Sequence, residues 1–171
     1  ATCYALTLGH DGNGTTPTAS PTNSTGCPAG EYVAGEVIDL SGATPDLGWG
    51  IASWYGTDDD ESTGNTNSLT MPAAAHSAGV DYLRLLGDVD MDGDVTSSDA
   101  LIVLTVDAGL PAAVAGYCPM NYGDVNADGY VNSTDALAIL TYDAKLSVPY
   151  PLGQPAEEPT LTAEPPGCSP A

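Results

Sequence analysis

The sequence predicts an α+β protein of two small domains, an N-terminal all-β module followed by a repeated loop-and-helix unit with an extended Pro-rich tail. Residues 1–83 carry short stretches of alternating apolar and polar residues separated by turn-forming residues, which predicts strands. Residues 87–110 recur as residues 123–146, and each copy ends in an apolar run of helical length. We therefore predict domains at 1–83 and 84–147, and a tail at 148–171.

The first module is built of short strands. Apolar residues alternate over 4–8 and 33–40, and a last strand is expected over 79–85. The run 15–25 contains Pro17 and Pro21, which predicts a long loop. Trp49 and Trp54 permit two interpretations, packing in a core that contains no Phe or a platform on which sugar rings stack; we favour the core.

The charge balance excludes several classes of partner. Two Lys and Arg residues stand against 23 Asp and Glu residues, a formal net charge of −21, so no basic surface can follow a nucleic-acid backbone or bind an anionic membrane. No apolar run approaches the roughly 20 residues of a membrane span. Asn13 and Asn23 begin N-glycosylation sequons, so glycans are possible partners.

Cysteine usage indicates the compartment. The chain has four cysteines, Cys3, Cys27, Cys118 and Cys168, and they are scattered without any C-x-x-C pair. Zinc binding is disfavoured by that spacing, whereas disulfides are typical of secreted proteins. We therefore expect a secreted protein, either extracellular or on the cell surface.

The repeat carries the chemistry. Residues 88–99 and 124–135 place oxygen-bearing side chains at alternate positions of a twelve-residue loop, with glycine at the sixth position. This is the spacing of an EF-hand-type loop, in which a hard dication takes six to eight oxygen ligands. We predict two Ca²⁺ ions; the alternatives are Mg²⁺ and an acidic turn without metal. The predicted ligands are Asp88, Asp90, Asp92, Asp94 (backbone), Thr96 and Asp99, then Asp124, Asn126, Asp128, Tyr130 (backbone), Asn132 and Asp135.

A helix is expected after each loop, because the apolar residues there recur at helical spacing. Leu101, Val103 and Leu104 in the first copy are expected to form a buried stripe. The second copy has Leu137, Ile139 and Leu140 in the same role.

Two repeats of the form GDVDMDGDVTSSDAL and GDVNADGYVNSTDAL, each a calcium loop with one exiting helix, resemble a dockerin over residues 87–146. Dockerins anchor enzymes of extracellular polysaccharide-degrading complexes to cohesin modules. The resemblance implies a cohesin-like scaffold as partner. It also implies that the tenth and eleventh loop positions, Ser97, Ser98, Ser133 and Thr134, contact that partner.

The segments CYALTL, PAGEYVAGEVIDL, PDLGWGIASWYG and NSLTMPA are similar to the bacterial surface repeat of the internalin B-repeat kind, over about residues 3–83. That family supplies small β modules on cell-surface proteins. With the domains so assigned, Cys3 would pair with Cys27, and Cys118 with Cys168 would pin the tail to the calcium module. Domain membership is the only basis for this pairing, since four cysteines allow three connectivities.

The functional hypothesis is a non-catalytic, secreted calcium-binding structural protein, a subunit of an extracellular fibre or surface structure held by protein contacts. Under it, the tail could add to a neighbouring subunit, and self-assembly should require divalent cations to screen the charge. The alternatives are a dockerin-type anchor and a carbohydrate-binding module that uses Trp49 or Trp54. No enzyme is expected, because no Ser-His-Asp arrangement is indicated and two small modules leave little room for a cleft.

Overall fold

The computed structural model describes residues 1–110, 117–118 and 120–168. The chain forms two compact units, Ala1–Leu83 and Arg84–Ala171, and the fold class is α+β. Within the described residues, every helix is too short or too polar to cross a bilayer.

The first unit is made of seven strands in two sheets. They are β1 (Cys3–Asp11), β2 (Thr18–Ser20), β3 (Glu31–Val33), β4 (Val37–Ser41), β5 (Trp49–Tyr55), β6 (Asn67–Thr70) and β7 (His76–Arg84). One sheet has the order β3-β1-β7-β5 and the other β2-β4-β6. Strands β1 and β7 run parallel, whereas the pairs β1–β3, β2–β4 and β4–β6 are antiparallel.

The core of the first unit takes side chains from both sheets. Strand β4 alternates, with Ile38 and Leu40 buried and the residues between them exposed, so one face of this strand packs inward. Large aromatic side chains fill the space that Phe would take elsewhere, among them Tyr32, Trp54 and Tyr82. Trp54 is 2% exposed and its indole N–H donates to the carbonyl of Gly64 at 3.0 Å. Trp54 is therefore a core residue and does not form a surface platform.

Strand β2 lies within the segment 15–25, where the sequence predicted only a loop. It pairs with β4 from Thr18 opposite Ser41 to Ser20 opposite Asp39, at the edge of the three-stranded sheet. The flanking Pro17 and Pro21 do not prevent this, because proline is tolerated at the end of an edge strand. The alternating stretch 33–40 divides between β3 and β4, with a turn at Gly35, whose φ is 83°.

The second unit contains two equal helices, α1 (Ser97–Asp107) and α2 (Ser133–Asp143). Two one-turn 3-10 helices, Asn121–Gly123 and Pro166–Cys168, complete its regular structure within the described residues. The core lies between the helices and the loops that precede them. Its buried members are Leu86, Val89, Val95, Ala100, Val103, Val106, Met120, Val125, Val131, Ala136, Ile139 and Leu152.

The predicted buried stripes are wrong for the four leucines. Val103 and Ile139 are buried, but Leu101 and Leu137 are 65% and 64% exposed, and Leu104 and Leu140 are 39% and 40% exposed. The reason is rotational: α1 buries the row Ala100, Val103 and Val106, which is spaced by three residues. A residue one position further along a helix lies about 100° around the axis, so each leucine faces away from that row.

Both disulfides join the cysteines paired above, Cys3 with Cys27 and Cys118 with Cys168. Each closes within one unit, as domain membership indicated. The second disulfide fixes the last described residue of the tail.

Residues 148–168 are packed into the second unit. Leu152 is almost fully buried in the core of this unit. Beside it, the Gly153 N–H donates to the Leu86 carbonyl at 2.9 Å, and the Leu86 N–H donates to the Gln154 carbonyl at 3.0 Å. The Ala156 N–H donates to the Arg84 carbonyl at 3.0 Å. The segment expected as an extended tail is therefore part of this unit, while the end of that expected tail, 169–171, lies outside the described residues.

Leu152→Ala should lower the free energy of unfolding of the second unit by about 2–5 kcal/mol, because it leaves a cavity in a packed core. Leu146→Ala is the matched control, since that leucine is exposed. Urea denaturation of the calcium-saturated protein measures both. Equal stability of the two variants would contradict the packing of the tail described above.

Candidate metal centre

The two predicted calcium loops have the same hydrogen bonds at their first position. In loop 1, residues 88–99, the Asp88 carboxylate accepts the N–H groups of Asp92 (3.2 Å) and Gly93 (3.0 Å). In loop 2, residues 124–135, the Asp124 carboxylate accepts the N–H groups of Asp128 (3.1 Å) and Gly129 (2.8 Å), which occupy the same loop positions. The chain therefore curls around the first carboxylate in each copy.

The twelfth position joins the two ends of each loop. One oxygen of Asp99 accepts the Val89 N–H at 2.8 Å and the other accepts the Thr96 N–H at 2.9 Å. Asp135 makes the same pair of bonds in loop 2, both at 3.0 Å. Each aspartate is also the third residue of its helix and completes a capping box with the N-cap residue, Thr96 or Asn132.

Left-handed backbone bends each loop at its fourth and sixth positions. Met91 and Ala127 have φ values of 61° and 58°, a conformation that non-glycine residues seldom adopt. Gly93 and Gly129 follow with φ of 96° and 88°, where glycine is required. The bends turn alternate side chains to the inside of the loop.

The first and last aspartates of both loops, Asp88, Asp99, Asp124 and Asp135, are fully or almost fully buried. Burial raises the pKa of Asp88 to about 6, with a smaller contribution from the charge of the neighbouring carboxylates. It also raises the pKa of Asp135 to about 6, and it raises the pKa of Asp99. A buried carboxylate is costly unless it is paired or bound to a metal.

No protein cation balances these carboxylates within the part of the chain that is described. The chain has two strongly basic side chains, and they lie over aromatic rings, Arg84 over Tyr122 at 4.5 Å and Lys145 over Tyr142 at 5.9 Å. The Arg84 guanidinium donates to the backbone carbonyl of Asp88 at 3.3 Å and not to its carboxylate. Neither basic side chain of the chain therefore pairs with these carboxylates.

The donor set fits a hard dication. One carboxylate oxygen from each of Asp88, Asp90 and Asp99 lies within 4.8 Å of the others. Asn126 replaces Asp90 in loop 2, so both loops offer side-chain oxygens and no nitrogen or sulfur ligand is needed, which is the preference of Ca²⁺. Ca²⁺ would be held by these oxygens and by the backbone carbonyls predicted at Asp94 and Tyr130.

The remaining predicted residues lie in the two loops and at the starts of the two helices. Asp92 and Asp128 accept the N–H of the residue two positions on, at 3.0 and 2.9 Å. The side chains of Asp94 and Tyr130, whose predicted ligand is the backbone carbonyl, are exposed. The predicted partner contacts are all exposed in the first turns of the helices: Ser97, Ser98, Ser133 and Thr134.

Sequence reasoning missed a reciprocal contact between the helices. The carboxylate of Asp107, the last residue of α1, accepts the Ser133 N–H at 3.0 Å, and Asp143 at the end of α2 accepts the Ser97 N–H at 2.9 Å. Each carboxylate thus satisfies the free N–H at the start of the other helix. The dipeptide Asp-Ala recurs at this point of both copies, and this recurrence in the sequence could have indicated the contact.

The comparisons with known proteins concern the first unit. Residues 4–83 match the family model of the divergent InlB B-repeat domain, which confirms the resemblance predicted for the N-terminal region. No curated protein and no solved structure gives a significant match. The dockerin resemblance of residues 87–146 stays a prediction.

Without calcium, the second unit should be more stable in mild acid than at neutral pH. Because the folded pKa of Asp88 and Asp135 is about 6, above the ordinary value of 3.8, the folded state binds more protons than the unfolded chain between about pH 4 and 6. The free energy of unfolding of the decalcified protein should therefore fall as pH rises through that window.

Thermal unfolding from pH 4 to 7.5, followed by the NMR signals of Val103 and Ile139, measures this effect. The readout must come from the second unit, because hydrogen bonds from Thr57 lower the pKa of Asp60 in the first unit and oppose the trend. A stability of the decalcified second unit that rises with pH across the window would refute the prediction.

Proposed function

We propose that this chain is a secreted, non-catalytic calcium-binding structural protein that takes part in an extracellular or cell-surface assembly through protein contacts. The observation that carries the proposal is the pair of equivalent loops, each with buried carboxylates and no protein cation to balance them. Two bound Ca²⁺ ions would supply that charge and bring the formal net charge from −21 to −17. Calcium would then be a structural element of the second unit.

Two findings support a location outside the cytoplasm. Both units contain a disulfide, and disulfides persist in oxidising compartments. The first unit matches a repeat-type domain of bacterial surface proteins.

An assembly role is supported by apolar residues exposed in both halves of the repeat. Leu101 and Leu104 on α1 have the same exposure as Leu137 and Leu140 on α2, each pair separated by 36 residues. We call these four residues the leucine set. Leu110 and Leu146, just beyond the helices, are exposed as a further matched pair. Contiguous exposed apolar patches mark protein interaction sites, and we propose that the leucine set belongs to one.

The leucine set leaves two partners open, a second copy of this chain in a fibre or surface structure, and a cohesin-like scaffold. A scaffold is favoured by the exposed Ser97, Ser98, Ser133 and Thr134 on the same helices. The hypothesis that the tail adds to a neighbouring subunit is weakened, because residues 148–168 pack on their own unit. The carbohydrate-binding alternative is weakened because Trp54 is buried in the core. Of the two tryptophans, only Trp49, which is half-buried, could stack on a sugar ring.

The native chain should bind two Ca²⁺ ions, and Asp88→Asn or Asp124→Asn should each remove one. Asparagine keeps the size of the side chain and removes the charge that the cation requires. Isothermal titration gives the stoichiometry, and Asp46→Asn, at an exposed position in the first unit, is the control. Two ions still bound by both loop variants would refute the assignment.

Leu101→Glu combined with Leu137→Glu should abolish calcium-dependent association and leave the thermal stability within about 0.5 kcal/mol of the parent, because both side chains are exposed. Sedimentation velocity with calcium and with EGTA detects self-association, and the same measurement with an added cohesin module detects the scaffold. Leu47→Glu, at an exposed position of the first unit, is the matched control. Association that survives the double change would eliminate the leucine set as the contact surface.

A further inference from the structure

Part of the tail crosses loop 2. The backbone N–H of Thr162 donates to the carbonyl of Gly129 at 2.7 Å. A Cβ on Gly129 would collide with the Thr162 side chain and would lie 3.2 Å from its backbone nitrogen. The tail therefore rests directly on the sixth position of the second predicted calcium loop.

The crossing segment is held on both sides of Thr162. Before it, the side-chain amide of Asn121 donates to the Pro159 carbonyl at 2.9 Å. After it, Cys168 is joined to Cys118, and Gly167 packs so closely on α1 that an added Cβ would lie 2.7 Å from the Cα of Val106. The contact with Gly129 is thus a fixed feature of the unit.

Loop 1 lacks this cover within the described residues. Its corresponding glycine, Gly93, is half-buried, whereas Gly129 is buried. No hydrogen bond of the described tail residues reaches Gly93. Among the described residues, the two loops are therefore alike in their internal bonds and differ in their contact with the tail.

The cover acts on the peptide that precedes a predicted calcium ligand. In loop 2, the Gly129–Tyr130 peptide has its carbonyl held by Thr162 and its N–H held by Asp128 at 2.9 Å. In loop 1, the Gly93–Asp94 peptide has only its N–H held, by Asp92 at 3.0 Å. The peptide immediately before the Tyr130 carbonyl is therefore held at both its oxygen and its nitrogen.

We propose that Thr162 is a positioning residue of the second calcium site, and that the tail segment 159–162 covers loop 2 so that this loop releases calcium more slowly than it would uncovered. The inference rests on the calcium-binding function proposed above. The calcium affinity of such a loop depends on the number of charged ligands and on the rigidity of the loop. The two loops of this chain differ in both properties. Loop 1 has Asp90 where loop 2 has the neutral Asn126, while loop 2 has the cover. Coupling is reciprocal, so calcium in loop 2 also holds the tail in place.

The decisive variant is Thr162→Pro, which removes the N–H donor. It is placed in an Asp88→Asn background, where loop 2 alone binds, and in an Asp124→Asn background, where loop 1 alone binds. Stopped-flow mixing with a fluorescent chelator measures calcium release. We expect release from loop 2 to become about five- to tenfold faster, as the loss of one hydrogen bond implies, and release from loop 1 to stay unchanged.

Two further variants separate the hydrogen bond from other effects. Glu157→Pro adds a proline at an exposed position outside the covering segment, where the N–H has no acceptor among the described residues, and it should leave both rates unchanged. Thr162→Ser retains the backbone donor and should rescue slow release from loop 2. Unchanged release from loop 2 in Thr162→Pro, or equal acceleration in both loops, would overturn the proposal.

A second measurement leaves the sequence of the tail unaltered. Hydrogen exchange of the Thr162 amide should be slowed by calcium, and the slowing should persist in Asp88→Asn and vanish in Asp124→Asn. If titration shows that the protein binds two ions but calcium does not change the exchange rate of the Thr162 amide, the proposed role of the tail is refuted and the calcium-binding function is not. Failure of the unaltered chain to bind calcium would instead refute the proposed function.

Discussion

The second unit depends on the carboxylate that closes each loop. Asp99 and Asp135 accept backbone N–H groups from both ends of their loop and also cap the helix that follows. The same two residues bring the loop oxygens together and set the direction in which the helix leaves. Their complete burial has an energetic cost that the bonded N–H groups only partly offset, and a bound cation would offset the remainder.

Duplication of this arrangement explains the rest of the unit. Because both helices leave their loops in the same way, the aspartate at the end of each can cap the start of the other. That exchange aligns Val103 with Ile139 in the shared core and turns the leucine set outward on both helices. A surface repeated in this way follows from packing one structural unit against its copy, and it supports a role in protein contacts.

The sequence was most informative where the determining contacts are local. Every predicted ligand position of a loop lies within twelve residues, so the spacing of aspartate, asparagine and glycine is enough to predict both loops, and the backbone bonds that the two loops share are short-range. The direction of Leu101 and Leu137 could not be predicted, because it depends on which helix face the partner helix and the tail cover. Strand β2 was missed since its pairing with β4 is a tertiary contact at a sheet edge. Thr162 lies outside the repeat, and nothing in its neighbourhood indicates that it reaches Gly129.

We expect both loops to be occupied by calcium in the functional protein. A crystal of the protein grown with calcium, measured at a wavelength where calcium scatters anomalously, tests this directly. Two anomalous peaks should appear, one in each loop, with side-chain oxygens of Asp88 and Asp124 about 2.3–2.6 Å from the ion. Empty loops at saturating calcium, or peaks outside residues 88–99 and 124–135, would contradict it.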